Sequence, residues 1–123
     1  MLKFLLVFLG GGLGSMFRFG IAELVDGLKI QFPMATLLAN IISCFILGFL
    51  LQLLWHDQLS DTYKFLLVTG FCGGFSTFST FTGETFLLAE SGNYLMAALN
   101  IMGSLLICLI ALYLGIKASL AIH

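Results

Sequence analysis

Four stretches almost free of charge run along the chain, Phe4 to Phe17, Phe32 to Trp55, Phe65 to Gly83 and Ser91 to Ile116, with short polar links between them. Each approaches or exceeds the roughly 20 apolar residues that cross the hydrocarbon of a bilayer. The first is the shortest, but it extends through Arg18 to about Ala22, because a long arginine side chain near a helix end reaches the headgroups. The pattern predicts an all-α integral membrane protein with four transmembrane helices. The links Glu23 to Gln31, His56 to Lys64 and Glu90 to Asn93 are too short to hold a soluble domain. Residues 1–123 are therefore expected to form one four-helix transmembrane domain. Pro33, the only proline, fits the first turn of the second helix, where its missing N–H costs nothing.

Composition strengthens the membrane reading. Hydrophobic residues make up 60% of the chain and charged ones 9%, and the mean hydropathy is +1.12, far outside soluble usage. A cleaved signal peptide is the alternative for the first segment, since Lys3 precedes an apolar run. No Ala-x-Ala-like cleavage site follows, and Gly10, Gly11, Gly12 and Gly14 have the spacing of a close-packing helix face, so the segment is expected to stay. A net charge of −1 argues against a nucleic-acid partner and leaves no polybasic patch for anionic lipid. Cys44, Cys72 and Cys108 lie inside apolar stretches, without metal-ligand spacing, and read as small hydrophobic residues.

Orientation is weakly specified. With four spans, Lys3, Lys64 and Lys117 share one side of the membrane and Arg18 and Lys29 the other, a bias of three against two. The positive-inside rule works on that difference, and a difference of one is a feeble instruction. Such a chain can insert both ways up. Copies of opposite orientation can then pair as an antiparallel dual-topology homodimer about an axis in the membrane plane.

The third stretch carries the least expected sequence, GFCGGFSTFSTFTGET from Gly70 to Thr85. Gly70, Gly73 and Gly74 weaken helix geometry, and the hydroxyl run from Ser76 offers caps for a helix that restarts. Two readings stand open: a kink that only improves packing, or a break between two half-helices in mid-membrane. Backbone freed by a break must be buried in protein, hydrated or bound to an ion. The first half-helix would end in carbonyls suited to a cation, and the second would begin with N–H groups suited to an anion. Beyond it, Phe78 and Phe81 share a helix face, with Thr77, Thr80 and Glu84 along a neighbouring stripe. Aromatic edges carry partial positive charge and hydroxyls donate hydrogen bonds, so together they can replace water around a small hard anion. Taken singly, the rings suit lipid contact and the hydroxyls suit bonds to the preceding turn. Asn40 can bridge helices or offer its amide donors to an anion, and Arg18 can snorkel or attract anions to a vestibule. Glu84, an intramembrane carboxylate, is a functional candidate by default and should be protonated, paired or hydrogen-bonded.

These residues resemble a known family. GGGLGSMFRF, TLLAN and above all GFCGGFSTFSTFTGET are similar to the Fluc (CrcB-type) fluoride channels over essentially the whole chain. The resemblance implies an antiparallel dual-topology homodimer with two pores, passively exporting fluoride from the cytoplasm across the plasma (inner) membrane of a microbe. It implies that Phe78 and Phe81 line the pores, that Asn40 faces the permeating anion and that Arg18 sits near a vestibule. Ser79, Thr80 and Glu84 would form part of a polar track. A structural sodium ion at the dimer centre would be held by the backbone carbonyls of Gly73 and Ser76. In the fourth segment Asn100 stands where relatives often have a pore-facing tyrosine and Cys108 where a hydroxyl often follows, while Ser104 keeps the hydroxyl between them. Ala35 replaces a common glycine before the Thr-Leu pair.

Function classes outside this one fare poorly. A small multidrug-type exporter needs a carboxylate in the first span, and Phe4 to Phe17 has none. An assembly subunit without transport leaves the hydroxyl and aromatic stripe unused. No nucleophile and base constellation or cofactor fingerprint points to an enzyme. A fluoride path should lack fixed cations that would trap the ion, and no lysine or arginine lies between Lys29 and Lys64 or between Lys64 and Lys117.

Overall fold

The computed structural model describes residues 1–123, almost all of them helical. Helix α1 is Leu2–Asp26 and α2 is Met34–Trp55. The third segment begins with α3 (61–75), whose stretch Lys64–Cys72 is π-helical. Ser76 and Thr77 are extended, and the chain resumes as α4, Phe78–Glu90, followed by α5, Tyr94–Ile122. Taking Asp61–Glu90 as one interrupted span, four helices are long and apolar enough to cross a membrane. Three of the four run past the charge-free stretches, α1 through Glu23 to Asp26, the third span from Asp61 to Glu90 and α5 through Lys117 to Ile122, because polar residues at helix ends stand in the headgroup region.

Short links force successive spans to alternate in direction, so α1 runs parallel to α3, and α2 to α5. These two pairs form the main packing seams. Glycine sets both. A Cβ on Gly10 would overlap the Leu66 carbonyl, and one on Gly14 the Phe71 carbonyl. Across the second seam, Gly48 meets the Leu112 carbonyl and Gly115 that of Phe45. Lipid tails are as apolar as leucine, so helices in a bilayer gain by close backbone approach rather than by hiding hydrophobic surface. Few large side chains are fully buried accordingly. Phe75, 2% exposed, is the main one, with Phe17 and Phe71 packed against its ring.

The glycines of the third segment do not break the helix, contrary to the expectation placed on Gly70, Gly73 and Gly74. All three stay helical. Gly70 and Gly74 use their missing side chains instead, to let α1 approach: a Cβ on Gly74 would overlap the Gly11 carbonyl. The interruption falls one turn later, where Ser76 (φ −75°, ψ 153°) and Thr77 (φ −147°, ψ 125°) leave the helical region.

Candidate functional site

The interruption at Ser76 and Thr77 is held by side chains from α2. The Thr77 N–H donates to Asn40 Oδ1 at 2.9 Å, and Asn40 Nδ2 donates back to the Thr77 carbonyl at 3.3 Å. One carboxamide thus replaces both backbone partners that an extended residue lacks, which meets the demand that lipid-depth backbone be satisfied. Of the two readings open for Asn40, the helix-bridging one describes these bonds. Thr77 also caps α4, its Oγ1 accepting the Thr80 N–H at 3.3 Å. Ser43 of α2 donates to the Cys72 carbonyl at 3.2 Å, and Ser76 donates to the same oxygen at 2.9 Å. From α1, Ser15 reaches the Gly74 carbonyl at 3.5 Å.

Two carbonyls lose their helical donors through these bonds. In an unbroken helix the Gly73 oxygen would take the Thr77 N–H, and the Ser76 oxygen the Thr80 N–H. Asn40 takes the first donor and the Thr77 hydroxyl the second. The negative end of α3 and the positive end of α4 meet at this point.

The outward face of α4 begins here. Thr77 Oγ1 lies 3.4 Å from Ser79 Oγ and donates to Thr80 Oγ1 at 3.2 Å, and Ser79 and Thr80 are exposed. The rings of Phe78 and Phe81 stand side by side, 5.7 Å between centroids, and Phe78 is 78% exposed. Glu84 belongs to the same helix but not to this hydroxyl group. Its Oε1 accepts from Thr36 Oγ1 of α2 at 2.7 Å, while its shielded Oε2 has no partner within the chain. Glu84 borders a cavity of about 380 Å³ at the membrane edge, between Phe32, Pro33 and Leu87.

Asn100 and Ser104 sit elsewhere. Asn100, 1% exposed, donates to Thr85 Oγ1 at 2.8 Å and accepts from Ser104 Oγ at 3.2 Å, so its amide is engaged inside the chain, between α5 and α4. Arg18 is half-buried on α1, one turn beyond Gly14, which abuts Phe75 just before the interruption.

Sequence reasoning singled out Asn40 but missed its neighbours on α2. Thr36, Asn40 and Ser43 fall at i, i+4 and i+7, one face of a helix. All three donate to the third segment, to Glu84, Thr77 and Cys72 respectively. That spacing was readable. Thr85, the partner of Asn100, had no comparable signal.

Four helices long and apolar enough to cross a membrane, the third interrupted beside hydroxyls and paired rings on its outward face, define a small multi-pass membrane protein. The chain belongs to the CrcB-like family: the family model described as CrcB-like protein, Camphor Resistance (CrcB), matches residues 5–116. Similar curated proteins include one from Pyrococcus abyssi, 45% identical over 112 residues and 90% of each chain. Another, from Methanocaldococcus jannaschii, is 42% identical over 120 residues, 98% of this chain and 96% of its own. A third, from Chlorobium chlorochromatii, is 45% identical over 113 residues, 91% of this chain and 88% of its own. Each of the three bears the name fluoride-specific ion channel FluC.

Proposed function

We propose that this protein is a passive, fluoride-selective channel of the microbial plasma membrane, working as an antiparallel dual-topology homodimer with two pores and a central structural sodium ion. One structural observation carries the anion reading. Phe78 and Phe81 stand together on the outward face of α4, beside the Thr77, Ser79 and Thr80 hydroxyls and at the positive end of that helix. The relatives' shared name supplies the identity of the anion.

Fluoride is small and strongly hydrated, so permeation requires donors that replace water, and release requires that no one site hold too tightly. Ring edges and hydroxyls meet both conditions, being weak donors in series without a fixed positive charge. Asn40 Nδ2 gives one N–H to the Thr77 carbonyl and keeps a second for the ion. Arg18 would raise the anion concentration at a pore mouth. Glu84, tied to Thr36, would complete the track beyond the hydroxyls together with Asn100 and Ser104.

A second copy suits the open surface at the interruption. A Cβ at Gly73 would meet nothing within 4 Å in the chain, which leaves room for another backbone. The Gly73 and Ser76 carbonyls, deprived of their helical donors, are hard oxygen ligands at the negative end of α3 and fit a sodium ion. Such an ion would supply the positive charge that these oxygens lack in lipid.

The test is anion efflux from liposomes holding only this protein, with a potassium ionophore to balance charge. Fluoride-loaded vesicles should empty fast and chloride-loaded ones should not. Equal rates for the two anions, or a strict need for a proton gradient, would overturn the channel reading.

A further inference from the structure

At the end of the molecule opposite Glu84, α2 and α5 finish side by side around a polar cavity of about 180 Å³. Gln52, His56, Gln58, Ser119, Leu120 and His123 line it. None of these residues takes part in the track described above. Because the two helices are parallel, the C-terminal, negative end of α2 lies beside the last turns of α5. A cavity at such an end favours a cation.

The chemistry of the lining narrows which cation. His123 Nδ1 lies 3.1 Å from the Ser119 carbonyl. A carbonyl only accepts, so this contact is a hydrogen bond in the tautomer that carries its proton on Nδ1, and that tautomer leaves Nε2 with a free lone pair. An imidazole whose other nitrogen donates to a carbonyl is the arrangement that orients metal-binding histidines. Phe49, edge-on at 6.5 Å between centroids, braces the same ring. His56 supplies the second imidazole, and the Gln52 and Gln58 carboxamides supply oxygen. The Ser119 hydroxyl, fully buried, has no partner within the chain. No third His, Cys, Asp or Glu joins the two histidines, so water and carboxamide oxygen must complete any coordination shell.

We infer that this cavity binds a late first-row divalent cation, Zn²⁺, Ni²⁺ or Cu²⁺, through Nε2 of His123 and an imidazole nitrogen of His56, clamping the ends of α2 and α5 together. Imidazole suits these ions, whereas Mg²⁺ and Ca²⁺ prefer carboxylate and carbonyl oxygen. The inference is independent of the fluoride reading, because binding is measured without flux.

Calorimetric titration of the purified full-length protein, freed of any polyhistidine tag, tests it. One ion should bind per chain, Cu²⁺ more tightly than Ni²⁺, and Mg²⁺ should give no heat. His56→Ala and His123→Ala should each weaken binding by more than about tenfold with unchanged gel filtration. In the wild-type protein, Zn²⁺ should protect both histidines from diethyl pyrocarbonate, a readout that needs no variant. Equal heats from the wild type and the double variant, or full modification of both rings under saturating Zn²⁺, would overturn the site.

Discussion

Asn40 is the residue on which the interruption depends, because its one side chain serves both the N–H and the carbonyl of Thr77. Asn40→Leu keeps the volume and removes both bonds. A buried donor or acceptor left without a partner costs about 1–3 kcal/mol, so the thermal midpoint in detergent should drop clearly. An unchanged midpoint would mean that water serves Thr77 equally well. Phe78 poses a different question, since its ring stands beside that of Phe81 and is 78% exposed. Phe78→Ile and Phe81→Ile keep bulk and hydrophobicity but remove the positive ring edge. Aromatic contacts are worth about 0.5–1.5 kcal/mol in soluble proteins, and 1.36 kcal/mol is tenfold in rate. In a dry pore the effect should exceed that, so each variant should lose more than about tenfold in fluoride flux with unchanged elution. Near-normal flux in both would return the rings to lipid contact.

The elements are held by glycine seams, and the seams make opposite demands at different positions. Gly14 and Gly48 each face carbonyl oxygen of the neighbouring helix where a Cβ would overlap it. Gly14→Val or Gly48→Val must push α1 from α3 or α2 from α5, costing at least the ~1–3 kcal/mol of an overpacked core. Gly20 also lies in α1, but a Cβ there would meet nothing within 4 Å. Gly20→Ala should therefore stabilise the chain by up to about 1 kcal/mol through helix propensity alone. Melting curves of the three variants in one detergent check the contrast, and a Gly20→Ala protein that melts with the valine variants would refute it.

For the whole molecule, the governing quantity is the charge balance across the membrane. Three basic residues against two barely orient the chain. Ser60→Lys, at the end of the link between the second and third spans, with Thr62→Lys in the first turn of α3, should bias it to one orientation. If the working unit is an antiparallel pair, flux should vanish from the biased copy alone and return when an oppositely biased copy is co-expressed. Full activity from the biased copy by itself would refute that pairing.

The four spans, the polar links and the unusual content of residues 70–85 were legible in the sequence, because lipid imposes one rule, continuous apolarity over a fixed length, that composition expresses directly. Thr36 and Ser43 were within reach of the same reading, at helical spacing from Asn40. Tertiary structure alone decided what the glycines do. A glycine permits a break and a close approach alike, and only the position of α1 shows that Gly70 and Gly74 serve approach. The restart of the helix in the hydroxyl run from Ser76 was legible, but what holds Ser76 and Thr77 out of the helix was not, because it depends on Asn40, 37 residues away in the chain. Nothing in Lys64 to Cys72 signals its π-helical form. That His56 and His123 line one cavity was equally unreadable, since it follows from the packing of two parallel helices distant in the chain. Local pattern specifies which segments enter the membrane; contacts between distant segments specify which backbone groups are left for an ion to satisfy.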